Sequence, residues 1–261
     1  MSFDVAAEAY DRFMGAWSTL LAPLMADLAG VRAGATALDV GCGPGSLLTE
    51  LVTRLGSSAV TGADPSISFV TAARERHPGV SVVEATAERL PFPNAAFDVS
   101  LAQLVVHFMA DPVAGLTEMA RVTLPGGTVA ACVWDYAGER GPLGPFWPAA
   151  RALDPDVENE SDLPGTRAGH LAELFISAGL VDVESGELTV RRSWPDFDAW
   201  WEPFTRGAGP AGAYLAHLPA HAQTRLADKC RSMLPDGEVA ISAVAWSARG
   251  TVRPRPAAGP A

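Results

Sequence analysis

Three glycines at alternate positions, Gly41, Gly43 and Gly45, end the apolar run Ala37-Leu38-Asp39-Val40, and a helical pattern starts at Ser46. This reads as a buried parallel strand, a tight turn and a helix N-terminus. A glycine turn lets a ligand reach bare backbone, because no Cβ holds it away. The helix end adds unpaired N–H groups suited to an anionic group. Asp39 sits inside the apolar run, where a carboxylate is costly without partners. A ligand or the turn's own amides are expected to satisfy it; structural capping is the competing reading. A second apolar run, Ala59-Val60-Thr61-Gly62-Ala63, closes on Asp64. An acid there can take both hydroxyls of a ribose, whatever cofactor carries it, or simply cap the turn from Ser66 onward. Pro65 and Ser66 would border the base.

Two cofactor classes use such a loop. The dinucleotide fingerprint is G-x-G-x-x-G with an acid about 20 residues on. Here Ser46 stands where its third glycine would be, which argues against a nicotinamide dinucleotide. Past the fourth apolar run, Gln103 and His107 fall at the carboxyl edge of the expected sheet, where α/β ligands bind. His107 has the ordinary pKa of a general base for a hydroxyl, amine or acidic carbon; the competing reading packs it beneath the helix from Asp111-Pro112. His170, His217 and His221 have no mutual spacing for a metal, nor do Cys42, Cys132 and Cys230. No metal site is expected, and the cysteines read as free thiols of a reducing compartment.

Asp39-Val40-Gly41-Cys42-Gly43-Pro44-Gly45 resembles motif I of the class I S-adenosylmethionine (SAM) dependent methyltransferases. Ala85-Thr86-Ala87-Glu88-Arg89-Leu90-Pro91-Phe92 through Phe97-Asp98 is similar to that family's segment after strand three, and Arg121-Val122-Thr123-Leu124-Pro125-Gly126-Gly127 to the turn entering strand five. Tyr10-Asp11-Arg12-Phe13-Met14-Gly15 resembles the N-terminal segment of the small-molecule members grouped with the ubiquinone/menaquinone C-methyltransferases. The resemblance implies SAM as cofactor and S-adenosylhomocysteine (SAH) as product. It implies cofactor contacts from Tyr10, Asp39, Gly41, Cys42, Gly43, Asp64, Pro65, Thr86, Ala87, Glu88 and Gln103, with Asp39 and Gln103 toward the methionine part. The family usually has Gly-Asp where this chain has Ala85-Thr86. Thr86 can accept the adenine amino hydrogen bond, but without charge, and such a bond is weaker.

The elements that would position these groups follow from pattern. Residues 5–30 carry Trp17, Leu20, Leu21, Leu24, Met25 and Leu28 at helical spacing. Helical segments then alternate with β-rich runs at 80–85, 97–101 and 128–134, which implies a parallel sheet. Segment 135–170 is rich in Gly, Pro and Asp. A helix is expected at 171–178 and strands at 181–190 and 239–246. The stretch 194–236, with Trp194, Phe197, Trp200, Trp201, Phe204 and Tyr214, reads as helical; its aromatics are either core or the wall of an apolar pocket. The resemblance completes this as an α/β, Rossmann-like sheet of seven mostly parallel strands, the last antiparallel, with helices on both faces and a helical lid over the acceptor site. The expected organisation is one domain over 1–252, with the SAM-binding core at 30–134, lid elements at 135–170 and 194–236, and a flexible tail at 253–261.

The chain has 261 residues, a net charge of −11 and a single lysine, Lys229. It lacks the basic footprint that nucleic-acid phosphates require. No signal-peptide pattern and no apolar stretch of about 20 residues is seen, so a cytoplasmic protein without a membrane span is expected. The resulting expectation is in-line methyl transfer from SAM to a small, hydrophobic metabolite of biosynthetic or secondary metabolism. The alternatives are an NAD-binding oxidoreductase and a methyltransferase-like binding protein without turnover.

Overall fold

The computed structural model describes residues 14–157, 160–207 and 209–254. Tyr10 and the tail from 255 lie outside them. β1 (Ala37–Val40) is buried along its whole length, because it runs at the sheet's centre. It pairs in parallel with β2 (Val60–Asp64) on one side and β4 (Phe97–Gln103) on the other. β3 (Ser81–Glu84) extends beyond β2, and β5 (Thr123–Trp134) beyond β4. The order is β3-β2-β1-β4-β5-β7-β6, with β7 (Val239–Thr251) antiparallel between β5 and β6 (Val181–Trp194). A dinucleotide fold has β6 directly beside β5 in an all-parallel run. The inserted antiparallel β7 separates this chain from that architecture.

Helices cover both faces, as the continuous apolar strands require. One face carries α1 (Ala16–Leu28), α2 (Ser46–Leu55) and α3 (Ile67–Arg76). The other carries α4 (Pro112–Val122) and α6 (His170–Ser177). α4 starts where Asp111 caps the Ala114 amide at 3.0 Å, with Pro112 at the first helical position.

β6 and β7 are longer than their apolar runs suggest. Arg191 to Trp194 continue β6 opposite Ser242 to Val239. Trp194 therefore ends a strand and does not begin the helical insertion; it packs on Trp17 with ring centroids 5.9 Å apart. The insertion itself is α7 (Phe197–Thr205), α8 (Gly209–His217) and α9 (Ala220–Ser232). Segment 135–170 also holds a helix, α5 (Phe146–Leu153), whose short length and two prolines at its start, Pro145 and Pro148, hide its period. Both segments leave the carboxyl edge of the sheet, after β5 and β6. The aromatics close into a core between them: Phe146 stacks on Phe204 at 4.8 Å, and Trp200 and Phe204 are buried. Among the described residues no helix is long and apolar enough to cross a membrane.

Candidate functional site

The strand order reverses between β1 and β4, and ligands of open α/β sheets bind in the crevice this opens at the carboxyl ends. A cleft of about 290 Å³ lies there. Gly41, Gly43, Asp64, Pro65, Thr86, Ala87, Glu88 and Gln103 line it, which brings together residues up to 62 positions apart.

The glycine loop works differently from the sequence expectation. Its amides are used inside the protein: Gly41 and Cys42 donate to the Ala63 carbonyl at 2.7 and 3.1 Å, Gly45 to the Cys42 carbonyl at 3.0 Å, and Gly43 to Asp64 Oδ2 at 2.8 Å. The loop thus offers room, not donors. At Gly43 (φ +52°) an added Cβ would meet nothing within 4 Å, so it would project into open space. At Gly41 (φ +69°) it would strike the Val105 side chain at 2.4 Å. Gly41 therefore allows the loop to close on the segment after β4, and Gly43 keeps the cleft open.

Asp64 ends β2 and is buried. Oδ2 accepts from Gly43, and Oδ1 accepts from the Ser66 amide at 2.8 Å. Burial raises its pKa, and those two amides oppose the rise. Each oxygen accepts one bond among the described residues and so keeps further acceptor capacity, and Asp64 lines the cleft. Thr86 is exposed at the rim and Ala87 buried beneath it. Glu88 Oε1 accepts from the Ala110 amide at 2.8 Å, so its carboxylate holds the far wall in place. Arg121 pins the same segment from α4, donating to the Phe92 and Leu90 carbonyls at 2.9 and 3.0 Å.

Asp39 lies in a smaller neighbouring cavity with Cys42, Gly43 and Gln103. No turn amide reaches its Oδ2, which is buried and has no hydrogen-bond partner among the described residues. Burial first, and the charge of Asp64 second, hold its pKa well above the usual carboxylate range. Burial likewise pushes the Cys42 thiol up, with Asp39 and Asp64 adding to it. All three cysteines are free and buried. Gln103 anchors by donating from Nε2 to the Ser18 carbonyl at 3.0 Å.

His107 does not reach the cleft wall. It lies in a short helical turn, Val106–Phe108, buried under Phe108 (ring centroids 3.8 Å apart) and facing the Tyr136 ring at 6.0 Å. Burial lowers its pKa to about 3. A ring kept neutral by burial is a poor proton acceptor, and this packing favours the packed-histidine reading over a general base. The aromatic insertion is also absent from the cleft lining among the described residues. Among those residues no group of three or more His, Cys, Asp or Glu could hold a metal ion.

Phe69, Leu104, Val105, Phe108 and Met109 complete the cleft as an apolar wall that the sequence reading passed over. The signal was present in the run Leu104-Val105-Val106-His107-Phe108-Met109, which drew attention only through its histidine. Ser18 was missed too. It lies three residues before Leu21 and seven before Met25, a polar residue on the apolar face of α1.

Residues 38–131 match the family model for a methyltransferase domain. The malonyl-[acyl-carrier protein] O-methyltransferase of Erwinia billingiae is 34% identical over 128 residues, 49% of this chain and 50% of that protein. The ubiquinone/menaquinone biosynthesis C-methyltransferase UbiE of Bdellovibrio bacteriovorus is 36% identical over 104 residues, 38% of this chain and 44% of that protein. The chain thus spans half or less of the length of these two relatives. The crystal structure of the YcgJ protein from Bacillus subtilis superposes with a TM-score of 0.58 at 18% identity, covering 90% of this chain and 98% of that one. That likeness establishes the shared fold.

Proposed function

We propose that this chain is a class I SAM-dependent methyltransferase that moves a methyl group from SAM to a small-molecule acceptor; the match of residues 38–131 to the family model for a methyltransferase domain supports this reading. The observation that carries the reading is the joint held by Asp64. One buried carboxylate fixes the Gly43 amide and keeps further acceptor capacity at a cleft that Gly43 leaves open. A ribose diol fits that capacity. The apolar wall of Phe69, Val105 and Met109 suits a planar base beside it, with Thr86 and Ala87 at its edge. Asp39 and Gln103, which line the smaller neighbouring cavity, would take the methionine end.

When bound, SAM supplies a methyl group on a sulfonium already activated for displacement. The chain's own task is then to align an acceptor with that methyl and exclude water. Alignment of this type is worth about 7–11 kcal/mol. His107 and its burial support a transfer that relies on position and not on imidazole base catalysis. The apolar cleft wall, together with a quinone-pathway methyltransferase among the relatives, supports a hydrophobic metabolite as acceptor. The net charge of −11 argues against a nucleic acid. A cytoplasmic location remains part of this reading.

Calorimetric titration with SAM, SAH and NAD tests the cofactor assignment, and Asp64→Ala tests the joint. SAM and SAH are expected to bind and NAD not to. The variant should lose at least about tenfold in SAM affinity, the scale of one or two hydrogen bonds to a charged group. Unchanged affinity in a folded Asp64→Ala protein would remove the ribose from this position. Transfer of labelled methyl from SAM to a panel of phenols and quinols separates an enzyme from a binding protein.

A further inference from the structure

On the face of the sheet that carries α1, one half-buried arginine has no counter-ion. The guanidinium of Arg192 in β6 lies over the rings of Trp194 and Trp17, 4.9 and 5.6 Å from their centroids. Among the described residues it makes no hydrogen bond and no ion pair. The other half-buried arginines, Arg54, Arg121, Arg140, Arg151 and Arg249, each meet a carboxylate. Supply is not the reason, since the chain has 30 acidic residues. The acids of neighbouring elements are committed elsewhere. On α1 the one acid, Asp27, pairs with Arg54, and β7 has none. Glu184 and Glu187 of β6 pair with Arg249 and Arg140; beyond its end, Asp196 caps Ala199 and Asp198 pairs with Arg231. Burial lowers the Arg192 pKa, and no neighbouring charge opposes the fall. The tryptophan faces offset part of that cost, but they leave the N–H donors of the guanidinium unused.

The topology brings this group to the ligand edge. β6 pairs antiparallel with β7, and β7 with β5, so β6 ends on the edge where β4 and β5 end. It overhangs that edge: Trp134, the last residue of β5, is level with Leu188, and Arg192 lies four residues further along. Trp17 spans the step, 6.2 Å from the Trp134 ring and 5.9 Å from that of Trp194. Trp134 Nε1 is a second buried donor without a partner. Ser18, next to Trp17, gives its carbonyl to Gln103, which lines the cleft. The cluster therefore adjoins the proposed cofactor site. Both unsatisfied groups donate, so they call for an acceptor. The planar, charged fork of the guanidinium matches a carboxylate. The tryptophan rings match a flat apolar body.

We infer that Arg192 takes the carboxylate of the methyl acceptor, an aromatic acid whose ring packs on Trp194. The inference rests on the methyl-transfer reading given above and narrows its acceptor. Arg192 is then a specificity residue, which selects acids over their uncharged counterparts and takes no part in the displacement.

The test uses the SAH-loaded chain with cinnamate and cinnamamide, which share a flat aromatic body and differ in charge. Their affinities, and that of SAH, are measured by calorimetry for the wild type, Arg192→Gln and Arg192→Lys. The wild type should bind the acid at least about tenfold tighter than the amide, the scale of hydrogen bonds to a charged group. Arg192→Gln should lose that preference and Arg192→Lys should keep part of it. SAH should bind all three alike, which also reports that the variants are folded. A wild type that binds the acid no tighter than the amide, or a preference that survives Arg192→Gln, would overturn the assignment while the cofactor reading stands. SAH weakened by Arg192→Gln would overturn it as well, because the guanidinium would then serve the cofactor's own carboxylate. A wild type that does not bind SAH would overturn the methyl-transfer reading and this inference with it.

Discussion

Gly43 and Asp64 show how single residues carry this site. A Cβ at Gly43 has space but the wrong backbone, since φ is +52° and the space is the cleft itself. Gly43→Ala is expected to cost about 1–2 kcal/mol of stability. It should reduce SAM affinity by more than that cost alone would, as its methyl enters the ligand's volume. Denaturant midpoints read beside calorimetric affinities check both halves of this expectation. Two buried titratable groups give the pH behaviour. Glu160 is 5% exposed beside Trp147 and Tyr136, and burial raises its pKa to about 7 although those two side chains oppose the shift. The folded chain then holds a proton that the unfolded chain releases near pH 4.5. Stability from this group is complete below pH 4.5 and is lost as pH rises to about 7, by up to about 3 kcal/mol. Urea unfolding of the wild type and Glu160→Gln across pH 4 to 8 measures it, since the pH slope should flatten in the variant over that window. His107 has the opposite sign. Its pKa of about 3 means stability is lost as pH falls from 6.5 toward 3, and its imidazole resonances should remain those of the neutral ring at pH 5.

At the scale of elements, the loops after β1, β2, β3 and β4 meet because parallel strands end on one edge. Glu88 accepts from the Ala110 and Asp111 amides, which holds the loop after β3 against the loop after β4, and Arg121 on α4 ties the first of these to its helix. The insertion α7–α9 and helix α5 leave the same edge but spend their aromatics on one another. Phe146, Trp200 and Phe204 form a packed cluster away from the cleft. Trp200→Ala should therefore destabilise the protein by about 3–5 kcal/mol, as large-to-small core changes do. SAM affinity of the folded variant should stay within about twofold of wild type, a difference under 0.5 kcal/mol. Equilibrium unfolding and ligand titration on one preparation distinguish a core tryptophan from a pocket wall.

For the whole molecule, the cleft spans both sides of the switch point. A ligand there would touch residues of β2, the loop after β3 and the end of β4. Ligand at a hundred times its dissociation constant adds about 2.7 kcal/mol to the folded state. For a chain of this length that raises the melting temperature by roughly 5–10 °C. SAM and SAH should give that rise in a thermal melt, and NAD none.

Much of this was readable from local pattern. The strand-turn-helix around Gly41, the acid closing the second run and the βα alternation rest on near-neighbour spacing, which a linear chain displays directly. Burial and pairing are different, because they depend on residues far apart in the chain. Asp39 could have been satisfied by its own turn, yet the turn's amides go to Ala63 and Asp64. His107 has the side chain of a base, and the packing of Phe108 and Tyr136 around it, which spacing does not display, is what favours a packed ring. Ser18 and Gln103 are 85 residues apart and share a cavity because α1 lies across the carboxyl end of β4. Local periodicity marks most of the elements, though not α5 or the full length of β6 and β7. Which polar atoms end up dry, and therefore what a ligand must bring, follows from desolvation by distant segments that no spacing encodes.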